Sequence, residues 1–140
     1  MYLKYENQKP FSDLVGKTLV SITGLEKGSD EVIFTVDDGT VYVMLHNQNC
    51  CESVDIEDVC GDVEDLIGSP ILVAEEVSSS EDENNPLAPA GWKLGSWESA
   101  TWTFYKIDTA KGGMTIRWYG SSNGYYSESV DFGIASDSRW

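Results

Sequence analysis

The sequence predicts an α+β fold dominated by antiparallel β-sheet, with seven to eight strands and one or two short helices packed on one face. Three observations carry that prediction. Asp38-Gly39 stands between two runs rich in β-branched residues, a two-residue hairpin signal of the type I′ kind, in which both turn positions take positive φ. Residues Ser99–Ile107 alternate, with Thr101, Thr103 and Tyr105 on one face and Trp102, Phe104 and Lys106 on the other. Val59, Val63, Leu66 and Ile67 instead follow helical spacing, in a segment that ends at Gly68 and is followed by Pro70.

The elements follow in order. Phe11–Gly16 reads as a turn of helix closed by glycine, leading into a strand over Thr18–Leu25. Val32–Val36 and Thr40–Leu45 flank the Asp38-Gly39 turn, so the first three strands form a meander. After the polar loop Asn47-Gln48-Asn49, Glu52–Glu57 alternates as a fourth strand, and Asp58–Ile67 is expected to be the acidic helix. Ser69–Val77 returns as a strand. The acidic Ser/Pro-rich stretch 78–98 is expected to be an exposed loop, pinned by Trp92 and Trp97. Beyond Ser99–Ile107, Lys111-Gly112-Gly113 reads as a turn and Met114–Tyr119 as a strand. Ser121-Ser122-Asn123-Gly124 is a second turn, after which Tyr125–Phe132 is expected to close the hairpin. The whole of residues 1–140 is read as a single domain, since a chain of this length buries enough surface to fold without staples.

Charge narrows the function classes. Net charge is −15, and sixteen of the twenty-four acidic residues lie between Lys27 and Lys93, a span with no Lys or Arg. Such a field repels nucleic acid, whose direct binding needs clustered basic residues, and attracts cations or basic protein surfaces. No run approaches the ~20 apolar residues of a membrane span. The N-terminal Met1–Glu6 lacks the apolar core of a secretory signal, so an intracellular protein with reduced thiols is expected.

All three cysteines and the only histidine fall in His46–Cys60. His46, Cys50, Cys51 and Cys60 are therefore the candidate metal ligands. Their spacing does not match a zinc finger or ribbon, because adjacent cysteines on a strand point to opposite faces. No cofactor is expected, with zinc as the alternative. The acids do not form an EF-hand loop: counting from Asp55, the fifth position is Val59 and glycine falls at the seventh. A cysteine nucleophile is disfavoured because neighbouring carboxylates raise a thiol's pKa. Most strand aromatics read as core. Arg117, beside Trp118, pairs either with an anionic ligand or with the acidic half, the internal ion pair being favoured.

These residues also carry a resemblance. His46-x-Gln48-x-Cys50-Cys51-Glu52-x-Val54-x-Ile56-Glu57-Asp58-Val59-x-Gly61-Asp62, then Asp65-Leu66-x-Gly68-x-Pro70-Ile71, resembles a family of small acidic proteins of unknown function encoded by bacteriophages and prophages. Thr101–Tyr105, Thr115–Gly120 and Ser122–Val130 are similar to the same family, so the resemblance runs from about Leu14 to Phe132. It implies a phage setting, in the cytoplasm of an infected bacterial host, and supplies no activity.

The resulting expectation is a non-catalytic accessory protein that binds and modulates a host factor, such as a defence component. Two mechanisms compete. An acidic surface of Glu57, Asp58, Asp62, Glu64 and Asp65 engages a basic host protein. Alternatively, a pocket of His46, Gln48, Cys50, Cys51, Arg117 and Trp118 sequesters a small ligand. The alternative from another class is a metal-dependent enzyme built on His46, Cys50 and Cys51. Exposed edge strands make a homodimer a further expectation.

Overall fold

In the computed structural model the described residues are 2–48, 51–80, 99–122 and 128–136. They form two four-stranded antiparallel sheets. In chain order the strands are β1 (Leu19–Thr23), β2 (Glu31–Val36), β3 (Val41–Leu45), β4 (Ser53–Gly61), β5 (Ile71–Ser80), β6 (Ser99–Thr109), β7 (Gly112–Ser122) and β8 (Asp131–Ile134). The first sheet has the order β1-β2-β3-β8 and the second β4-β7-β6-β5. The expectation of mainly antiparallel sheet with seven to eight strands holds, while among the described residues the helical content is three short 3-10 turns.

The two sheets pack face to face through their alternating apolar sides. Val32, Phe34, Tyr42 and Met44 of the first sheet share one core with Val54, Ile56, Tyr105, Ile107, Ile116 and Trp118 of the second. Trp118 donates its indole N–H to the Met44 sulfur across the gap, at 3.2 Å. An aromatic cluster fills one part of this core. Phe132 stacks parallel on Tyr42 at 5.3 Å between ring centroids and meets Phe11 edge-on at 5.2 Å. Phe11 arrives on the 3-10 turn Phe11–Leu14, where a turn of helix was expected.

The first hairpin differs in detail from the expected type I′ turn. Gly39 has φ 93°, but no described non-glycine residue has positive φ, so Asp38 stays right-handed. Gly39 N donates to Val36 O at 3.0 Å, and Val36 N donates to Thr40 O at 2.8 Å. The loop is therefore the three residues Asp37-Asp38-Gly39, a type I turn closed by a left-handed glycine. The Asp38 carboxylate caps it by accepting from Thr40 N at 2.8 Å, which lowers its pKa.

Two expectations are corrected. The acidic helix over Asp58–Ile67 does not form. β4 absorbs a bulge between Ile56 and Asp58 and continues, pairing Val59 with Ile116, Cys60 with Thr115 and Gly61 with Met114. Only Val63–Asp65 turns, as a 3-10 turn whose first free N–H, that of Glu64, is taken by the Asp62 carboxylate at 3.0 Å. Tertiary pairing outweighs the local helical spacing because a strand here satisfies the edge of β7. Nor does the described part of Tyr125–Phe132 close a hairpin on β7, whose two sides are taken by β4 and β6. Residues 123–127 lie outside the described residues, and the chain re-emerges in β8 to pair with β3, with Phe132 opposite Met44. Burying Phe132 among Phe11, Phe34 and Tyr42 favours that choice.

Candidate functional site

β3 and β4 belong to different sheets, so the chain crosses between them at His46–Glu52. It crosses back between β7 and β8. The two crossings meet. His46 Nδ1 lies 2.6 Å from the Ser129 carbonyl, which can only accept, so this nitrogen carries the proton. Its Nε2 lies 2.8 Å from Glu52 Oε2. Both side chains are sealed, at 3% exposure for His46 and 0% for Glu52. Gln48 Nε2 donates to the second Glu52 oxygen at 3.0 Å and to the Glu52 carbonyl at 2.6 Å. Asn47 adds its backbone N–H and its side-chain amide to Asp131 Oδ2, at 3.3 and 3.2 Å.

A second buried carboxylate supports the same end of the molecule. Glu128 accepts from Ser122 Oγ at 2.5 Å and from Thr101 Oγ1 at 2.8 Å. The Glu128 backbone crosses β7 at Gly120, where a Cβ would meet the Glu128 carbonyl oxygen at 2.8 Å and its Cβ at 2.9 Å. Glycine at this strand position permits the close approach.

Beside this network lies a cavity of about 510 Å³ lined by Tyr2, Leu3, Lys4, Leu45, His46, Asn47 and Gln48. Of the expected ligand pocket, His46 and Gln48 are on its wall. Cys51 adjoins Glu52 but is not a lining residue, and Cys50 lies outside the described residues. Arg117 and Trp118 are elsewhere. Trp118 is fully buried in the core, because it sits on the inward face of β7. Arg117 is on the outward face, where its Nε lies 3.4 Å from Asp58 Oδ1 and its guanidinium stands 6.0 Å above the Trp102 ring. The internal ion pair favoured from sequence is thus present.

The candidate metal ligands are not assembled. Cys60 lies seven residues beyond Ser53 along β4, roughly 23 Å at the rise of a strand, so it cannot join His46. Among the described residues no group of three or more His, Cys, Asp or Glu side chains is placed to hold a metal ion. The thiols also differ from the all-reduced expectation: Cys60 is free and exposed, while Cys51 is disulfide-bonded.

The acidic residues singled out from sequence do gather, along the far end of β4 and the turn after it. Asp58, Asp62 and Glu64 are exposed, and Glu57 and Asp65 half-buried. Local neutralisation is thin: Lys27 reaches Glu57 at 3.8 Å, and Arg117 reaches Asp58. On the face of β5, desolvation followed by the charge of Asp131 raises the Glu76 pKa. Burial and the charge of Asp30 raise that of Asp55. Glu52, Glu128 and Asp131 were missed as site residues. The spacing His46-x-Gln48-x-x-x-Glu52 was the available signal, since it lets a short loop fold both side chains onto one carboxylate.

The described residues form a two-sheet antiparallel β-sandwich with its crossings pinned by a buried histidine and carboxylates, and among them no helix is long and apolar enough to span a bilayer. Over residues 12–132 the chain matches the family described as a domain of unknown function, DUF7448, and it belongs to that family. No curated protein and no solved structure matches it.

Proposed function

We propose that the protein is a non-catalytic binding protein whose acidic surface engages a basic surface of another protein. The observation that carries this is the exposed row Asp58, Asp62 and Glu64, flanked by Glu57 and Asp65, on a chain of net charge −15. Such a field speeds encounter with a positive partner and disfavours nucleic acid. The single histidine supports a non-catalytic role, because both ring nitrogens are committed to internal partners and its side chain is sealed. The resemblance to phage-encoded proteins makes the partner a host factor, such as a defence component, met in the cytoplasm of an infected bacterium. The test is capture from that host's lysate with the wild-type protein and with the variant Asp58→Asn/Asp62→Asn/Glu64→Gln, over a salt series. Asn at 62 retains the cap on Glu64 N. Proteins held only by the wild type, and released as salt rises, support the reading. Retention that ignores both salt and substitution overturns it.

A second reading has its own observation, the cavity bordered by His46 and Gln48, which would sequester a small ligand. Native mass spectrometry of protein purified anaerobically from a cellular host tests it. Extra stoichiometric mass supports capture, of a small molecule or of the metal that the enzyme alternative requires. A bare chain returns belief to the acidic surface.

A further inference from the structure

Of the four sheet edges, three are at least partly covered. The edge of β8 is met by the N-terminal segment, through the bridge Gln8–Gly133 and Lys9 N→Phe132 O at 2.8 Å. That of β4 is met by the turn after β1, through Gly28 N→Ile56 O and Ile56 N→Ser29 O, both 2.8 Å. That of β1 carries bridges from Thr18 to Pro70 and from Leu19 to Ile67. β5 is different. Its first residue, Ile71, is capped by Gly16 N at 2.8 Å and Lys17 O at 2.9 Å. From Leu72 to Ser78 no described backbone group pairs with its outer side. Two large apolar side chains on this strand stand in solvent, Leu72 at 60% exposure and Val77 at 49%.

We infer that this open edge of β5 is where a partner docks, by adding an extended basic segment as a fifth strand to the second sheet. The inference goes beyond the proposed acidic row, which lies on β4 and the turn after it while β5 is the opposite edge of the same sheet, and it rests only on the reading of a basic partner. The strand carries no Pro or Lys, and its one bulge falls at its start, between Ile71 and Val73, so the run beyond it is a template for strand addition. The chemistry of the incoming segment follows from β5 itself. Glu75 and Glu76 are consecutive, so they project to opposite faces between Val73 and Val77; both reach solvent, Glu76 from the face that carries Tyr105, where it is partly desolvated. Two adjacent Lys or Arg flanked by β-branched residues match them on both faces. A second copy of this chain is a poorer occupant, because self-pairing about this segment opposes Glu75 and Glu76 with their own copies.

The test uses the full chain and a capped peptide, Thr-Val-Lys-Lys-Val-Thr, followed by amide hydrogen exchange and chemical-shift titration over a salt series. Two further peptides carry backbone N-methyl groups at alternate positions, one set odd and one even. They keep the charge but remove the donors on one side. Expected are protection confined to Leu72–Ser78, loss of binding with one of the two methylated peptides, and about a tenfold weaker affinity for Glu75→Gln/Glu76→Gln. Binding that survives both methylated forms and is lost instead in Asp58→Asn/Asp62→Asn/Glu64→Gln overturns the edge while leaving the acidic-surface reading intact. Failure of every peptide to bind overturns the edge, and the salt-dependent capture with the Asp58→Asn/Asp62→Asn/Glu64→Gln variant then decides the acidic-surface reading separately. Protection of β5 that grows with protein concentration without peptide assigns the edge to a second copy and overturns the inference.

Discussion

Replacing Glu52 by alanine tests whether the two crossings are held together by one buried carboxylate. The side chain lies 2.8 Å from His46 Nε2 and accepts from Gln48 at 3.0 Å. Alanine leaves His46, 3% exposed, facing an apolar void with its Nε2 unsatisfied. Breaking a buried pair from one side costs about 3–5 kcal/mol, a large share of the ~5–15 kcal/mol that stabilises a domain. Glu52→Gln differs in kind. Its amide donates to a neutral imidazole whose Nδ1 proton is already given to Ser129, so the geometry survives at a cost of about 1 kcal/mol. Urea unfolding followed by tryptophan fluorescence measures both. The expected result is a midpoint shift for Glu52→Ala several times that of Glu52→Gln, with an unchanged denaturant slope. A Glu52→Ala protein within ~0.5 kcal/mol of wild type, or equal losses in the two variants, refutes the argument.

Other consequences are open to simpler measurements. Phe132→Ala removes the ring shared by Phe11, Phe34 and Tyr42 and is expected to cost about 3–5 kcal/mol by the same unfolding assay. Gly120→Ala forces its Cβ onto Glu128 and should cost about 1–3 kcal/mol, with increased exchange of the amides at 128–130. Cys60 should react with an alkylating agent in the native state, whereas Cys51 should react only after reduction, as read by peptide mass mapping. Burial holds the phenols of Tyr42, beside Asp13, and Tyr105, near Glu76, neutral and raises their pKa values. The unfolded chain ionises near pH ~10, so this contribution is complete below that pH and is lost as pH rises above it. Phenolate absorbance from these two residues should therefore appear together with loss of native fluorescence; ionisation near pH ~10 in a still-native protein would contradict the sign.

Much of the sheet was legible because period-2 patterning survives packing. Ser99–Ile107 reads the same way from sequence and structure, with Tyr105 on the face of the shared core and Trp102 on the opposite face, where it too is buried, against Tyr119. The error at Asp58–Ile67 has a physical source: Val59, Val63, Leu66 and Ile67 suit a helix locally, and only the distant edge of β7 reveals that Val59 belongs to a strand. The partner of β8 was equally hidden, since a nearby Asn-Gly signal favours a local hairpin and the pairing with β3 spans most of the chain. At the site, His46 and Gln48 were recoverable from their residue types. Glu52 was recoverable only through its spacing from them, and Glu128 not at all, because in a chain with twenty-four acids a buried one looks like all the others.

The origin of β8 has a consequence for biosynthesis. β1, β2 and β3 are contiguous and can pair as soon as they leave the ribosome, yet the fourth strand of their sheet is Asp131–Ile134. Until that tetrapeptide emerges, the side of Tyr42–Leu45 away from β2 lies unpaired at the edge of a finished meander, and Phe11 and Phe34 lack the ring that covers them. The nascent chain thus carries a sticky edge through most of its synthesis, at the sequence separation that slows folding most. Its dense negative charge, much of it made before β8, repels its own copies and so opposes edge-to-edge association during that wait.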